Sequence, residues 1–465
     1  MQWIPPVLVP CSSSVIITEK DTVRKNFKEP RTILMKKAGY HMKFLSKTLG
    51  KSILLVLSCT MVGLLLLIAV FAIPTDRMEE HVLASAAVFE EEGAYPEFNI
   101  LGTHSTLDNW TDAIMLLQAS YCNDTGLLDR AISVYRPTIE WENPAQVLVS
   151  YYTQGAQTQI ISYPRYWHGY LVFLKPLLCV FSYDQIRILN AVFVAVLALL
   201  FIAVMYYKKM ARYILPYVIA LLLIDPFAIS QSIQFTTIYY IYTIASIVLL
   251  LKQDWLEASV ERLALFFVVI GCATSYFDFL TYPLVTFGVP AILFLCSTKK
   301  PLKKTAKILL LVLVCWFIGY AGMWAGKWIL GTLLGNENII MDAISSIFLR
   351  SSTLDVSGQS FSLFSVLKAQ LYHIITPAFG FAAVYVIVMG ICFWKHNPKK
   401  KRSDFTWTLY IGIALLPILW FVGASNHSYV HHWFTYRELL TSAFSVMCLF
   451  ARYATKTDAI ARREK

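Results

Sequence analysis

Long apolar runs constrain this chain more than any other feature of its sequence. Several stretches approach the roughly 20 apolar residues that a helix needs to cross a bilayer. Lipid offers no partner to a backbone N–H or C=O group, so a run that crosses it must be helical. Because 57% of the 465 residues are hydrophobic and 15% are charged, we predict an all-α polytopic membrane protein.

About ten of these runs are predicted to be membrane spans. The stretch 263–297 is the irregular one, since it is long enough for one overlong helix or for two short ones. Pro283 lies in its middle, and proline interrupts a helix, so two spans are predicted there. The ten spans are 53–73, 187–207, 213–229, 235–251, 263–277, 281–297, 308–330, 371–394, 406–424 and 437–453.

Basic residues are concentrated in alternate loops, and Lys and Arg beside membrane spans prefer the cytoplasmic side. Both termini are therefore predicted to be cytoplasmic, in a multi-pass protein of the cell membrane. Residues 1–52 form a basic N-terminus whose first part is expected to be poorly ordered, with Met42 a candidate natural start. The basic positions are Lys43, Lys47, Lys51, Lys208, Lys209, Arg212 and the segments 297–307, 395–402 and 461–465, the last within a tail of residues 454–465.

The net charge of +11 comes from these loops rather than from one basic surface. Nucleic acid is therefore not an expected partner, whereas the lipid bilayer is. The opposite face carries a long segment, 74–186, with fourteen acidic and five basic residues. Amphipathic helices are predicted within it. A second segment on that face, 331–370, divides the spans into 187–330 and 371–453.

Three acidic residues, Asp76, Glu79 and Glu80, directly follow the first span. Acids in the first turn of a helix complement its dipole, which is one interpretation of them. The other is catalytic: one carboxylate takes a proton from an acceptor hydroxyl at the membrane surface, or binds a divalent cation such as Mg²⁺ or Mn²⁺. The sequence leaves both interpretations open and assigns no cofactor.

The segment YPRYWHGY (163–170) carries Arg165 and His168 where the exterior segment returns to the membrane. An interfacial aromatic belt with a snorkelling arginine is one interpretation. The two residues are three positions apart, however, and would share one helical face. We therefore predict that they hold a phosphate group.

The segment SNHSYVHHWFTYR (425–437) repeats this chemistry before the last span. His427 and His431 are four positions apart, and His432 and Arg437 follow them. No HExxH motif accompanies them, so an anion site or a hydrogen-bonding cluster is favoured over zinc. His431 and Arg437 are predicted to bind phosphate, and His427 and His432 are further candidates.

Three other acids are candidate site residues. Asp108 and Asp112 are four positions apart in a predicted amphipathic helix, where they are either its solvated side or part of a site. Asp278 lies at the outer end of an apolar span, and carboxylates at such positions are functional candidates. A turn or a helix cap explains Asp278 equally well.

The line YPRYWHGYLVFLKPLLCVFSYDQIRILNAVFVAVLALL (163–200), placed after one span and an acidic segment, resembles a family pattern. It is similar to the GT-C class of integral membrane glycosyltransferases, in particular the protein O-mannosyltransferase and aminoarabinose-transferase branch. Ser182 stands where that branch usually has glycine. The acidic segment 76–96 has Gly93 at about the expected distance but lacks the branch's Asp-Glu pair. The match covers roughly residues 50–210.

The resemblance implies a GT-C-like fold and an enzyme that moves a sugar from a polyprenyl-phosphate donor to an exterior acceptor. It makes Asp76, Glu79 or Glu80 the base, while Arg165, His168, His431 and Arg437 would lie near the donor phosphate. The identities of the sugar and of the acceptor are left open. The alternatives are a transporter or flippase for a lipid-linked saccharide and a membrane scaffold. The sequence has no P-loop, GxSxG or GxGxxG motif, so nucleotide-driven chemistry is not expected.

Overall fold

The described residues of the computed structural model are 46–100, 103–335, 337–396 and 405–454. The predicted N-terminal segment up to residue 45, the loop residues 397–402 and the tail residues 455–465 lie outside them. Contacts divide the chain into two units, Met1–Lys51 and Ser52–Lys465. Of the first unit the structure describes only helical residues 46–51, and the sites discussed below belong to the second.

Helices make up most of the described chain, as the apolar runs predicted. Two single 3₁₀ turns, Ala211–Tyr213 and Tyr436–Glu438, precede two of them. The helices are α1 Ser46–Phe71, α2 Asp76–Glu92, α3 Asn109–Ser120, α4 Leu127–Ser133, α5 Pro144–Gln154, α6 Leu171–Leu178, α7 Tyr183–Tyr207, α8 Ile214–Leu223, α9 Pro226–Gln231, α10 Ile233–Leu251, α11 Gln253–Glu257, α12 Val260–Phe277, α13 Val285–Ser297, α14 Leu302–Leu334, α15 Ile339–Ser351, α16 Leu363–His373, α17 Pro377–His396, α18 Trp407–Ala414, α19 Leu416–Gly423, α20 Ser425–Val430, α21 His432–Thr435 and α22 Leu439–Ala454.

Two short antiparallel hairpins lie within residues 74–186, the segment predicted to be exterior. In one, β1 (Glu97–Ile100) pairs with β2 (Thr103–Thr106), and in the other, β3 (Arg136–Thr138) pairs with β4 (Gln159–Ile161). Strands of three or four residues do not make a sheet layer of their own. The all-α character of the chain is therefore retained.

Five of the described helices are long and apolar enough to cross a membrane, namely α1, α7, α10, α12 and α14. The count rises to six if α16 and α17, which meet at a bend of 94°, form one broken span. Shorter apolar helices occupy Ala211–Leu223, Val285–Ser297 and Trp407–Gly423. The chain is thus a multi-pass membrane protein by helix length and composition, while the number of ten spans stays a prediction.

Residues 263–297 form two helices that are separated by a turn. Helix α12 ends at Phe277 and α13 begins at Val285. The Asp278 carboxylate stabilises the turn, since it accepts a hydrogen bond from the Thr281 N–H at 3.0 Å. The same turn contacts two residues that are described below, His427 through the Leu280 carbonyl and Glu438 through the Leu284 N–H.

Small residues allow the central helices to approach closely. A Cβ at Gly271 of α12 would lie 2.1 Å from the Trp316 carbonyl oxygen of α14, and one at Gly319 would lie 2.1 Å from the Val268 carbonyl oxygen. Backbones this close require glycine on both helices, as membrane helix pairs often do. Helices α12 and α14 are therefore held at a fixed distance.

Two buried lysines join helices α6 and α14 to the ends of α3 and α4. Lys175 of α6 donates to the Ala119 carbonyl at the end of α3. Lys327 of α14 donates to the Ile132 carbonyl near the end of α4 at 2.8 Å. A cation beside the carboxyl end of a helix is electrostatically favourable. Lys175 thereby links two helices within residues 74–186, and Lys327 links α4 to α14.

Candidate functional site

The three acids predicted as base candidates lie in the exposed first turn of α2. Asp76, Glu79 and Glu80 are exposed, whereas Met78 and Val82 on the other face of the helix are buried. Among the described residues, no hydrogen bond or ion pair engages the three carboxylates. They are therefore free to meet a substrate, and they equally fit the interpretation as dipole-complementing acids.

Arg165 faces the helix α15 rather than His168. Its guanidinium donates to both carboxylate oxygens of Asp342, at 2.9 and 3.0 Å, and also to the Ser346 hydroxyl. The pair is partly exposed, with 22% of the Arg165 side chain and 52% of the Asp342 side chain accessible. An incoming phosphate would therefore compete with a carboxylate at Arg165.

A second arginine, Arg350 at the end of α15, lies close to the first. It contacts the Nδ1 atom of His427 and donates to the Tyr166 hydroxyl at 2.7 Å. Both guanidiniums act electrostatically on the Tyr163 phenol, although burial outweighs them and raises its pKa to about 12. Two cations from distant parts of the sequence thus meet around Tyr163 and Tyr166.

His168 is a buried residue with both ring nitrogens bonded. Its Nε2 lies 2.7 Å from the Tyr163 carbonyl, which can only accept, so Nε2 carries the proton and Nδ1 accepts from the Tyr170 hydroxyl at 2.8 Å. The Gln118 side-chain amide contacts the same Tyr170 hydroxyl. Because that hydroxyl already donates its proton to His168, the Gln118 NH₂ group is assigned to face it and to donate. This orientation also gives the Gln118 nitrogen, which otherwise has no partner, a hydrogen bond. Burial lowers the pKa of His168 to about 3. His168 therefore supports the local fold as a neutral group.

Gly169 allows the segment 163–170 to lie directly against Tyr276 at the end of α12. The Gly169 N–H donates to the Tyr276 carbonyl at 2.9 Å, and a Cβ at Gly169 would lie 2.3 Å from the Tyr276 ring. The backbone of His168 has φ +55°, a value that few non-glycine residues adopt. This sharp turn holds the chain before α6 against the end of α12.

The histidines of 425–437 divide into two groups. His427 is buried between Arg350 and the Leu280 carbonyl, whose oxygen lies 2.7 Å from its Nε2, and burial lowers its pKa well below the usual range. The His431 ring lies 4.9 Å from the His427 ring, and burial lowers its pKa to about 4. His432 instead contacts His373, with 2.6 Å between their ring nitrogens.

Arg437 is buried apart from the other two arginines. Its Nε donates to the Ile224 carbonyl at 3.1 Å, and its guanidinium lies 3.8 Å from the Asp225 carboxylate. The same group lies over the Phe235 ring, 4.2 Å from the centroid. These contacts tie the break between α8 and α9 to the start of α22, and they engage the guanidinium inside the protein.

Asp112 joins α3 to α10. Its carboxylate accepts hydrogen bonds from the backbone N–H groups of Ile233 and Gln234, at 2.9 and 3.1 Å, at the start of α10. The Tyr183 hydroxyl donates to it at 2.6 Å. Burial raises the pKa of Asp112 to about 6, against the effect of these donors. The group caps a helix N-terminus and is fully enclosed.

Asp108 begins α3 and is also buried. It accepts from the Thr111 N–H at 3.0 Å, as a helix N-cap does. Its own N–H donates to the Ser232 hydroxyl at 3.1 Å. Burial raises the pKa of Asp108 to about 7. Neither Asp108 nor Asp112 lies on a solvated side of α3, because this helix is buried along most of its length.

A triangle of polar side chains lies beside these acids. Arg187 of α7 donates to Glu92 at 2.8 Å and to the Asn109 side-chain oxygen at 2.7 Å. The Asn109 amide nitrogen in turn donates to Glu92 at 2.9 Å. Sequence inspection gave no sign of this network, which closes α2, α3 and α7 on one another.

Asp278 faces a second buried acid that the sequence analysis did not single out. Glu438 is fully buried, and its Oε1 accepts from the Leu284 N–H at 3.0 Å. The two carboxyl groups are close enough to interact electrostatically, and burial raises the pKa of Asp278 to about 7. Two acids thus share the turn between α12 and α13.

A column of aromatic rings along α14 also escaped the sequence analysis. Consecutive rings lie 5.1, 6.4 and 5.8 Å apart. The spacing of four positions is visible in the sequence and would have revealed the column, since residues four apart share a helix face. Its members are Trp316, Tyr320, Trp324 and Trp328.

The column connects the arginines to the buried acids. At one end, the Trp328 indole donates to the Arg165 carbonyl at 3.1 Å, and the Trp324 ring lies 5.0 Å from the Tyr166 ring. Further along, the Tyr320 hydroxyl lies within electrostatic reach of Asp278 and of Glu438. Aromatic, cationic and acidic groups therefore share one part of the molecule.

The structure brings some of the predicted site residues together and leaves others apart. Arg165, His427 and His431 gather around Arg350, whereas no described hydrogen bond or ion pair joins them to Asp76, Glu79 or Glu80. A shallow depression contains none of the predicted residues; its lining is Phe71, Tyr121, Asn123, Arg130 and Tyr135.

Metal binding has no evident site in the described part of the chain. Within it, no group of three or more His, Cys, Asp or Glu side chains could hold a metal ion. Comparison of the chain with protein-family models, with curated proteins and with solved structures finds no match. The role of each residue therefore rests on its contacts within this chain.

Proposed function

We propose that this chain is an integral membrane glycosyltransferase that moves a sugar from a polyprenyl-phosphate donor to an extracytoplasmic acceptor. The observation that carries the proposal is the meeting of Arg165 and Arg350 around Tyr163 and Tyr166, next to a column of aromatic rings. A guanidinium group can donate two parallel hydrogen bonds to two oxygens of one phosphate group. They also stabilise the negative charge that develops on a departing phosphate.

In this proposal the donor phosphate displaces Asp342 from Arg165 and is held between the two arginines. The polyprenyl tail stays in lipid, against the apolar side chains that α15 exposes, such as Ile347 and Phe348. His431 lies beside Arg350 and adds a hydrogen-bonding ring nitrogen. His168 and Arg437, which were predicted to contact the phosphate, act through the folded structure instead.

The acceptor hydroxyl loses its proton to one carboxylate of the α2 first turn, Asp76, Glu79 or Glu80. In a direct displacement the base and the leaving phosphate stand on opposite sides of the reacting carbon, so they need not touch each other. The phosphate oxygen takes the electron pair of the broken bond, and the sugar carbon is inverted. The proposal includes ten membrane spans with both termini in the cytoplasm.

Release of polyprenyl phosphate by the purified protein tests this function. The protein in lipid nanodiscs would be supplied with polyprenyl phosphates that carry different single sugars and with solubilised cell-envelope material as the source of acceptor hydroxyl groups. We expect R350Q to lower kcat/KM about 100-fold, as the loss of a charge-stabilising donor does. Among D76N, E79Q and E80Q, one should lower kcat about 1,000-fold. The matched controls are E90Q and E91Q, exposed acids further along the same helix.

The competing functions give different results in the same preparation. Movement of a lipid-linked saccharide between leaflets, without cleavage of its glycosyl bond, would identify a transporter or flippase. If substitution of Arg165, Arg350 and all three acids changed nothing except folding, the chain would be a scaffold. Either result would exclude the glycosyltransferase.

A further inference from the structure

Three buried polar atoms near the turn 278–284 have no hydrogen-bond partner of normal geometry among the described residues. They are Glu438 Oε2, the Tyr320 hydroxyl and the Trp420 indole nitrogen. The Trp324 side chain approaches the Tyr320 hydroxyl without forming a regular hydrogen bond. Buried polar atoms are nearly always bonded in folded proteins. Three such atoms in one place therefore point to a bound group.

The three atoms are neighbours. The Tyr320 and Trp420 rings are 6.4 Å apart at their centroids, and Glu438 lies within electrostatic reach of the Tyr320 hydroxyl. Glu438 is fully enclosed, and its other oxygen is fixed by the Leu284 N–H. The Val285 N–H also approaches this carboxylate, but Oε2 forms no regular hydrogen bond among the described residues.

The chemistry of the three atoms selects a class of ligand. Glu438 offers an acceptor, Trp420 a donor, and Tyr320 either one. A metal ion does not suit an indole N–H, and a phosphate is disfavoured beside Glu438 and Asp278. A ring that carries several hydroxyl groups both donates and accepts, and its C–H faces pack on aromatic side chains. These properties describe a monosaccharide.

The position of these three side chains relative to Arg350 also agrees with a sugar ligand. Arg350 donates to the Tyr166 hydroxyl, and the Tyr166 ring contacts Trp324. Tyr320 lies one helical turn further along α14, about 6 Å from the level of Trp324. A phosphate at Arg350 would therefore have its attached sugar at the level of Tyr320.

We propose that Glu438, Tyr320 and Trp420 bind the sugar ring of the lipid-linked donor and select its hydroxyl pattern. The inference rests on the proposed function for the identity of the ligand. Glu438 Oε2 accepts from one sugar hydroxyl, while the Tyr320 hydroxyl and the Trp420 indole bond its neighbours. The present ring separation leaves no room for a sugar between Tyr320 and Trp420. Binding between these two rings would therefore require the short helix α19, which carries Trp420, to shift outward.

Direct binding measurements test this subsite without requiring turnover. Dissociation constants would be measured by calorimetry in nanodiscs, for bare polyprenyl phosphate and for polyprenyl phosphates carrying glucose, galactose, mannose or N-acetylglucosamine. We expect the wild type to bind at least one sugar-bearing lipid about three- to tenfold more tightly than the bare lipid, the contribution of one or two hydrogen bonds. Y320F should remove this difference and leave the affinity for the bare lipid unchanged.

The variant Y385F is a matched control, because its hydroxyl is also buried and unpartnered but lies on α17. It should keep the wild-type preference. E438Q should alter which sugar is preferred. If E438Q does not fold, the result for Y320F alone tests the subsite. A wild type that binds all five lipids equally, or a Y320F protein that keeps the preference, overturns the subsite. Sugar-dependent binding without turnover would keep the subsite and reject the enzyme.

Discussion

At the scale of single residues, the motif at 163–170 serves two purposes at once. Arg165 turns outward to a carboxylate on α15, while His168 and Gly169 turn inward and hold the chain against α12. The sequence placed Arg165 and His168 on one helical face. The segment is instead a turn with φ +55° at His168, so the two side chains separate.

The neutrality of His168 predicts a pH effect on stability. The folded protein keeps this residue uncharged to a pKa of about 3 because it is buried, whereas the unfolded chain takes up the proton near pH 6.5. Between these values the unfolded state binds more protons, so the free energy of unfolding falls as the pH falls. For this group alone the loss is about 2 kcal/mol at pH 5.

The variant H168N isolates this contribution, since asparagine tolerates the left-handed backbone and does not titrate. It should unfold at a lower temperature than the wild type at pH 7.5, having lost buried hydrogen bonds. The gap should narrow at pH 5. Asp108, Asp112 and Asp278, whose pKa values are raised by burial, titrate with the opposite sign but occur in both proteins. A gap that stays constant or widens at pH 5 would contradict the assignment.

At the scale of helices, the sequence was sufficient to predict features that depend on neighbouring residues alone. Pro283 indicated the break between α12 and α13, because a proline in a helix interior removes a backbone hydrogen bond and is disfavoured there. The aromatic spacing along α14 was equally visible. Arg350 and Glu438 were not predictable as site residues, because each acquires its role from partners far away in the sequence, such as Tyr166 and Leu284. No periodicity in the sequence indicates contacts between residues so far apart.

The close approach of α12 and α14 predicts a large effect from a single methyl group. In G319A the new Cβ would lie 2.1 Å from the Val268 carbonyl oxygen, so the helices must separate. We expect a loss of about 3 kcal/mol in the free energy of unfolding, measured by thermal unfolding in detergent.

The control is G412A on α18, where nothing lies within 4 Å of the added Cβ. This change should be neutral or slightly stabilising, because alanine favours helix over glycine. Equal destabilisation by the two substitutions would mean that α12 and α14 do not pack as described.

At the scale of the whole molecule, the sidedness inferred from basic loops is open to a direct test. Cys122 lies in the predicted exterior segment and is the one exposed cysteine among the described residues. A membrane-impermeant maleimide should therefore label Cys122 in intact cells, and C122S should remove the label. In the C122S background, K299C lies in a predicted cytoplasmic loop and should react only after the membrane is permeabilised. Equal labelling of K299C in intact cells would reverse or refute the orientation.

The burial of Asn109 affects the choice of expression host. This residue begins an Asn-Trp-Thr sequence, the acceptor pattern for N-linked glycans. In the folded chain its side-chain oxygen is bonded to Arg187 and its amide nitrogen to Glu92. Asn109 is fully buried, so a glycan attached there during synthesis would not fit the folded chain, and a glycosylating host should yield a modified fraction that cannot reach the native state. Bacterial production avoids that loss.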